Sequence, residues 1–133
     1  MKKDIVKPAM KGVTIAIKLD DSKPQHHWTV HLINSNSFDI DNIIIASTGY
    51  GKKEGDEQQT STLRHFYDNL SANSTQQVEV ITKEVFHLFN EYWVSYFVDG
   101  KLYDKRFTFV PDSINTEHLI FIEALNSQGV LHA

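Results

Sequence analysis

The chain has 133 residues, no cysteine, 17 acidic against 13 basic residues and a formal net charge of −4. A chain of this length reads as one domain, 1–133, able to bury about two-thirds of the surface it would expose unfolded. The missing cysteines exclude disulfides, thiolate nucleophiles and thiolate zinc sites. The acidic balance opposes the counterion release that drives nucleic-acid binding, and Arg64 and Arg106 are the only arginines offered for bidentate phosphate contacts.

Met1-Lys2-Lys3 is followed by Asp4, Lys7, Pro8 and Lys11, which leave no apolar core of export length. The expectation is a cytoplasmic protein that begins with an extended arm over 1–11. The longest apolar runs, such as Ile43 to Ala46, are strand-sized and too short for a membrane span.

Alternation then starts. Val13, Ile15, Ile17 and Leu19 share one face of a first strand, and Asp20 to Pro24 forms a polar turn. Trp28, Val30 and Leu32 alternate with Thr29, His31 and Ile33 in a second strand, which puts Trp28 in the core, and Asn34 to Ser37 turns the chain again. Asn42 to Tyr50 is β-branched and apolar on both faces, the mark of a central strand. Gly51 to Gln59 reads as a charged solvent loop. Thr60 to Leu70 fits a helix face and a strand equally, and the β signals on either side favour a strand.

Ser71 to Thr75 turns into a strand bearing Val78, Val80 and Thr82, and Lys83 to Phe89 has room for one helical turn. Asp99-Gly100 then joins Glu91–Val98 to Lys101–Val110 as a type I′ hairpin, because both residues tolerate positive φ. Beyond Pro111, Asn115 can cap a short helical turn, Leu119 to Ile122 can equally be a strand, and the rest of 112–133 carries no assignment. About seven strands at this spacing predict an all-β fold: an antiparallel β-sandwich of immunoglobulin or fibronectin III type, with a closed barrel as the second architecture.

The two-residue turn fixes a register. Val98 faces Lys101, so Tyr96 pairs with Tyr103, Val94 with Lys105 and Tyr92 with Phe107 on one face, which is assigned to the core. The other face pairs Phe97 with Leu102, Ser95 with Asp104 and Trp93 with Arg106, and sets the guanidinium over the indole. Trp93, Phe97, Leu102 and Arg106 together have the composition of an interface hot spot. Either a protein partner or second copy covers them, or the C-terminal segment folds back over them.

Catalytic and metal signatures are thin. His27 and His31 share a strand face but stand about 13 Å apart, too far for one ion, and His26 does not mend that spacing. Asp39, Asp41 and Asn42 lack the glycine and distal glutamate of a calcium loop. Gly49 to Gly55 has no Gly-Lys-Ser/Thr, and no Gly-x-Ser-x-Gly elbow surrounds Ser47 or Ser61. No metal and no cofactor is expected. The densest polar group, Thr60 to His65, offers a candidate anion site in Thr62, Arg64 and His65, with Arg64 holding the anion and His65 exchanging protons. Two functions follow: a protein-interaction or scaffold module using the Trp93 face, or a small-molecule or anion-binding protein, or an enzyme, with its site between Tyr50 and His65.

The succession Trp28 to Asn34, Ser47 to Gly51, Thr60 to His65 and Val94 to Phe97 resembles a family of short bacterial proteins of uncharacterised function, over nearly the whole chain. Some members carry the label of phenylalanyl-tRNA synthetase α subunit. That label conflicts with the residues, because a class II synthetase core is far longer and clamps ATP with motif arginines, whereas Arg64 and Arg106 sit in no such motif. The resemblance implies kinship and no functional residue.

Overall fold

Period-two alternation becomes ten strands in the computed structural model, which describes residues 11–20 and 27–132. They are β1 (Val13–Asp20), β2 (His27–Asn34), β3 (Ile40–Lys53), β4 (Asp56–Gln59), β5 (Leu63–Leu70), β6 (Ser74–Ile81), β7 (Phe89–Val98), β8 (Lys101–Phe109), β9 (Ile120–Ile122) and β10 (Ser127–Leu131). Short 3₁₀ turns at Lys83–Val85, Thr116–His118 and Glu123–Leu125 complete the elements, and no helix is long and apolar enough to cross a membrane among the described residues. The expected arm, apart from Lys11, and the turn residues Asp21 to Pro24 lie outside the described residues.

The strands form two antiparallel sheets. One runs β6-β2-β1-β10-β9; in the other, β3 lies between β7-β8 on one side and β5 and β4 on the other. The first half of β3 pairs with β5 and its last turn of strand with β4. No ladder joins the two sheets among the described residues, so the barrel alternative is set aside. Their facing sides meet over Val13, Ile15, Ile17, Leu19, Trp28, Val30 and Leu32 from one sheet and Ile43, Ile45, Tyr92, Val94, Tyr96 and Phe107 from the other, all in one buried cluster. Non-directional burial of these apolar surfaces is what holds the layers together.

The hairpin has the register its turn dictates: Val98↔Lys101, Tyr96↔Tyr103, Tyr92↔Phe107 and Trp93↔Arg106. Asp99 and Gly100 sit at φ 50° and 77°. Asn115 caps its 3₁₀ turn by accepting from the Glu117 amide at 2.8 Å.

Three expectations need correction. The strands outnumber the seven expected, the additions being β4, β9 and β10. Gly51–Gln59 is a hairpin and not a loop: Lys53 pairs with Asp56 across Glu54 and Gly55, both at positive φ, so its backbone groups satisfy one another despite the charge of its side chains. The C-terminal segment does not cover Trp93. It crosses to the other sheet, where Val130 pairs with Ile17 and Gly129 with Lys18. There a Cβ on Gly129 would meet the Ile17 carbonyl oxygen at 2.5 Å, so only glycine permits that approach. Ile122 and Leu125 then pack on Ala16 and Ile33 and cover the outer side of that sheet.

Candidate functional site

The outer side of the β3-β7 sheet remains exposed. Cross-strand pairing aligns Arg106, Trp93, Ala46 and Arg64 in one row, Asp104, Ser95, Ile44 and Phe66 in the next, and Leu102, Phe97 and Asp41 beyond it. Directly opposed residues point to the same side, so these rows form one surface. Trp93 is 41% exposed, Leu102 50% and Phe66 72%, whereas Phe97 is half-buried. The Arg106 guanidinium carbon lies 4.3 Å from the Trp93 ring centroid, a cation-π contact. The four residues expected to form an interaction surface therefore share one face, as two cross-strand pairs with the Ser95–Asp104 row between them.

The expected anion trio is divided. Thr62 meets Thr48 through their hydroxyls at 2.8 Å, and Thr48 pairs with Glu91, so Thr62 and Arg64 belong to the outer surface near Trp93. Arg64 and Trp93 are two strands apart, about 10 Å at the usual interstrand spacing. His65 faces inward. Its Nε2 meets Glu79 Oε1 at 2.7 Å.

Glu79 is a hub that sequence reasoning missed. Its Oε1 also accepts from Ser47 Oγ at 3.0 Å, and its Oε2 accepts from the Tyr92 hydroxyl at 3.1 Å. One carboxylate of β6 thus ties three strands of the opposite sheet. Burial, reinforced by the charge and the hydrogen bond of Glu79, holds the Tyr92 hydroxyl well above its ordinary pKa. The hub borders a cleft of about 200 Å³ lined also by Thr60, Leu63 and Asn90. Ser47 and His65 each bond the same carboxylate oxygen, so the serine hydroxyl donates to the acid and the order differs from a serine nucleophile activated by histidine.

A β-bulge explains why Glu79 is there. Val30 pairs with Glu79 but His31 with Gln77, which leaves Val78 as an extra residue. The alternation shifts, Val78 and Ile81 are both buried, and Val80 is 48% exposed. The only sequence signal was a lone acid between two valines.

The other polar candidates have local partners. His31 Nε2 lies 2.8 Å from Thr29 Oγ1, and burial, followed by the charge of Lys18, lowers its pKa to about 4. His27 opens β2, and His26 lies outside the described residues. Asp39 accepts from the Ala72 amide and Asn69, and Asp41 from Asn69, so these carboxylates brace the start of β3 against the end of β5. No group of three histidine, aspartate or glutamate side chains is placed to hold a metal among the described residues. No protein-family model, curated protein or solved structure matches the chain.

Proposed function

We propose that the chain is a cytoplasmic protein-interaction module, and that a second copy of itself docks on the outer surface around Trp93. The observation that carries this reading is an exposed tryptophan under an arginine, set among exposed Ile44, Phe66 and Leu102. Contiguous apolar surface of this kind marks docking sites in soluble proteins. Aromatic residues and arginine dominate binding energy at such sites.

The charges fit a self-complementary contact. A two-fold axis crossing the strands at Phe66, Ile44 and Ser95, one cross-strand row, sets residues two positions before it over residues two positions after it. Arg64 then meets Asp68 of the second copy, and Trp93 meets Phe97 of the second copy. Such an isologous contact is the commonest way for soluble chains to pair. Four strands at about 4.8 Å and four to five same-face steps of about 6.8 Å give roughly 600 Å² per copy, near the lower end of standard interfaces.

Strand order supports the finer fold assignment that accompanies this proposal, an immunoglobulin or fibronectin III-type sandwich. The order β6-β2-β1 opposite β5-β3-β7-β8 corresponds to strands E-B-A opposite C′-C-F-G of that architecture. Trp28 departs from the antibody pattern, since it stands on the second strand and not the third.

Sedimentation equilibrium at micromolar concentration tests the dimer. Arg64→Asp and Asp68→Arg should each give monomers, and the double exchange should restore association. A monomeric wild type, or a dimer indifferent to both exchanges and to Trp93→Ala, overturns the proposal.

A further inference from the structure

The cleft beside Glu79 offers acceptors and almost no donors. Its walls come from β3, the link between β4 and β5, the end of β6, and β7. The buried donors along it are engaged elsewhere. Asn90, 5% exposed, gives its carboxamide N–H groups to the Val85 and Leu88 carbonyls at 3.0 and 3.2 Å, which identifies its other terminal atom as oxygen. Ser47 and Tyr92 donate to Glu79, and Thr60 Oγ1 donates to the Ser61 carbonyl. What remains is Asn90 Oδ1, which accepts from no donor among the described residues, the lone pairs of the Ser47 and Tyr92 hydroxyls, and the Glu79 carboxylate itself.

Gly49 keeps the amide oxygen accessible. It lies inside β3 without a positive φ, so space and not backbone conformation calls for glycine there. A Cβ would stand 3.3 Å from Asn90 Oδ1, 3.1 Å from Thr60 Cγ2 and 3.2 Å from Leu88 Cδ1. Glycine within a strand marks the close approach of another group.

These features select a ligand class. Glu79 is the one carboxylate lining the cleft among the described residues, and no lysine or arginine lines it. An anion would therefore meet like charge and lone pairs, whereas an ammonium group brings three donors and no acceptor. Leu63, Ile81 and Val85 add apolar wall, which a bare metal ion would not use and an alkyl chain would. The volume of about 200 Å³ suits a small molecule, since a dry cavity of about 150 Å³ holds one benzene.

We infer that this cleft binds a small primary alkylammonium, with its N–H groups on Glu79, Asn90 Oδ1 and a Ser47 or Tyr92 oxygen and its stem along Leu63 toward solvent. The cleft lies at the inner seam and Trp93 faces outward, so this site stands apart from self-association.

Titration of the full chain with n-butylammonium, n-butanol, butyrate, tetramethylammonium or potassium ion, read from backbone amide spectra, tests it. Butylammonium alone should give saturable shifts at Gly49, Thr60, Glu79 and Asn90, with a Kd of about 1 mM or below, inside the affinity ceiling for so small a ligand. Glu79→Gln should weaken binding about tenfold or more, as loss of a charged hydrogen-bond partner does. Gly49→Ala should weaken it by filling the space before Asn90, and Glu57→Gln, which removes an exposed acid outside the cleft, should leave it unchanged. Should Glu79→Gln or Gly49→Ala lose its folded spectrum, Leu63→Lys at the exposed mouth takes its place and should weaken binding through like charge. Absence of saturable butylammonium shifts, equal binding of the alcohol, butyrate, tetramethylammonium or potassium ion, or full affinity in a folded Glu79→Gln, Gly49→Ala or Leu63→Lys chain overturns the proposal.

Discussion

Trp28 and Trp93 belong to opposite sheets and meet opposite fates. Trp28 is 3% exposed and makes a T-shaped contact with Phe86, ring centroids 5.8 Å apart. Trp93 is 41% exposed and lies beneath Arg106. Both stand on strands rich in apolar residues, so composition does not separate them. Strand parity does, because one indole points between the sheets and the other away from them. What the chain does with its C-terminus widens the contrast: β9 and the 3₁₀ turn after it cover the outer side of the Trp28 sheet at Ala16 and Ile33, and the outer side of the Trp93 sheet keeps Trp93, Phe66 and Leu102 exposed.

The largest effect that can break this contrast is on stability. Trp28→Ala removes a fully enclosed indole and should cost about 3 to 5 kcal/mol, seen as a large fall in the urea midpoint. Trp93→Ala should cost the monomer only about 0.5 to 1 kcal/mol, the size of an exposed cation-π contact. Equal losses, measured at a concentration where both variants are monomeric, would mean that Trp93 is enclosed within one folded chain.

A smaller effect distinguishes the inner seam from the outer face. Glu79→Ala leaves the Ser47 hydroxyl, His65 and the buried Tyr92 hydroxyl without their common acceptor. Stranding a buried donor costs about 1 to 3 kcal/mol, so denaturation should report a loss of that size. Adding Tyr92→Phe should return part of it, because removing both partners is far cheaper than removing one. An unchanged midpoint in Glu79→Ala would show that apolar packing alone joins the sheets at this edge.

The hairpin, its register and the outward placement of Trp93 and Arg106 were legible because a two-residue turn and a period of two leave one answer. Glu79 was not legible. Its inward turn depends on a bulge at Val78, which no local pattern announces, and on donors from β3, β5 and β7 that are distant in sequence. The Gly51–Gln59 hairpin was hidden for a related reason, since its charged side chains read as loop while the long β3 supplied its backbone partner. The convergence of Arg64 with Trp93 required knowing that β5 and β7 flank the same strand, which is a property of topology and not of spacing.

The smallest effect is the most discriminating for the outer face. A double-mutant cycle on Trp93→Ala and Arg106→Ala, read from monomer stability, should give a coupling of about 0.5 to 1 kcal/mol, the range for an exposed cation-π pair. That is enough to hold the guanidinium flat on the ring and too little to make the pair a source of fold stability. In a dry contact the same pair strengthens to about 2 kcal/mol or more, so the coupling read from dimer dissociation should exceed the monomer value. Coupling that is already large in the monomer and does not grow on association would locate the dry environment within the single chain and remove the physical reason for a partner at Trp93.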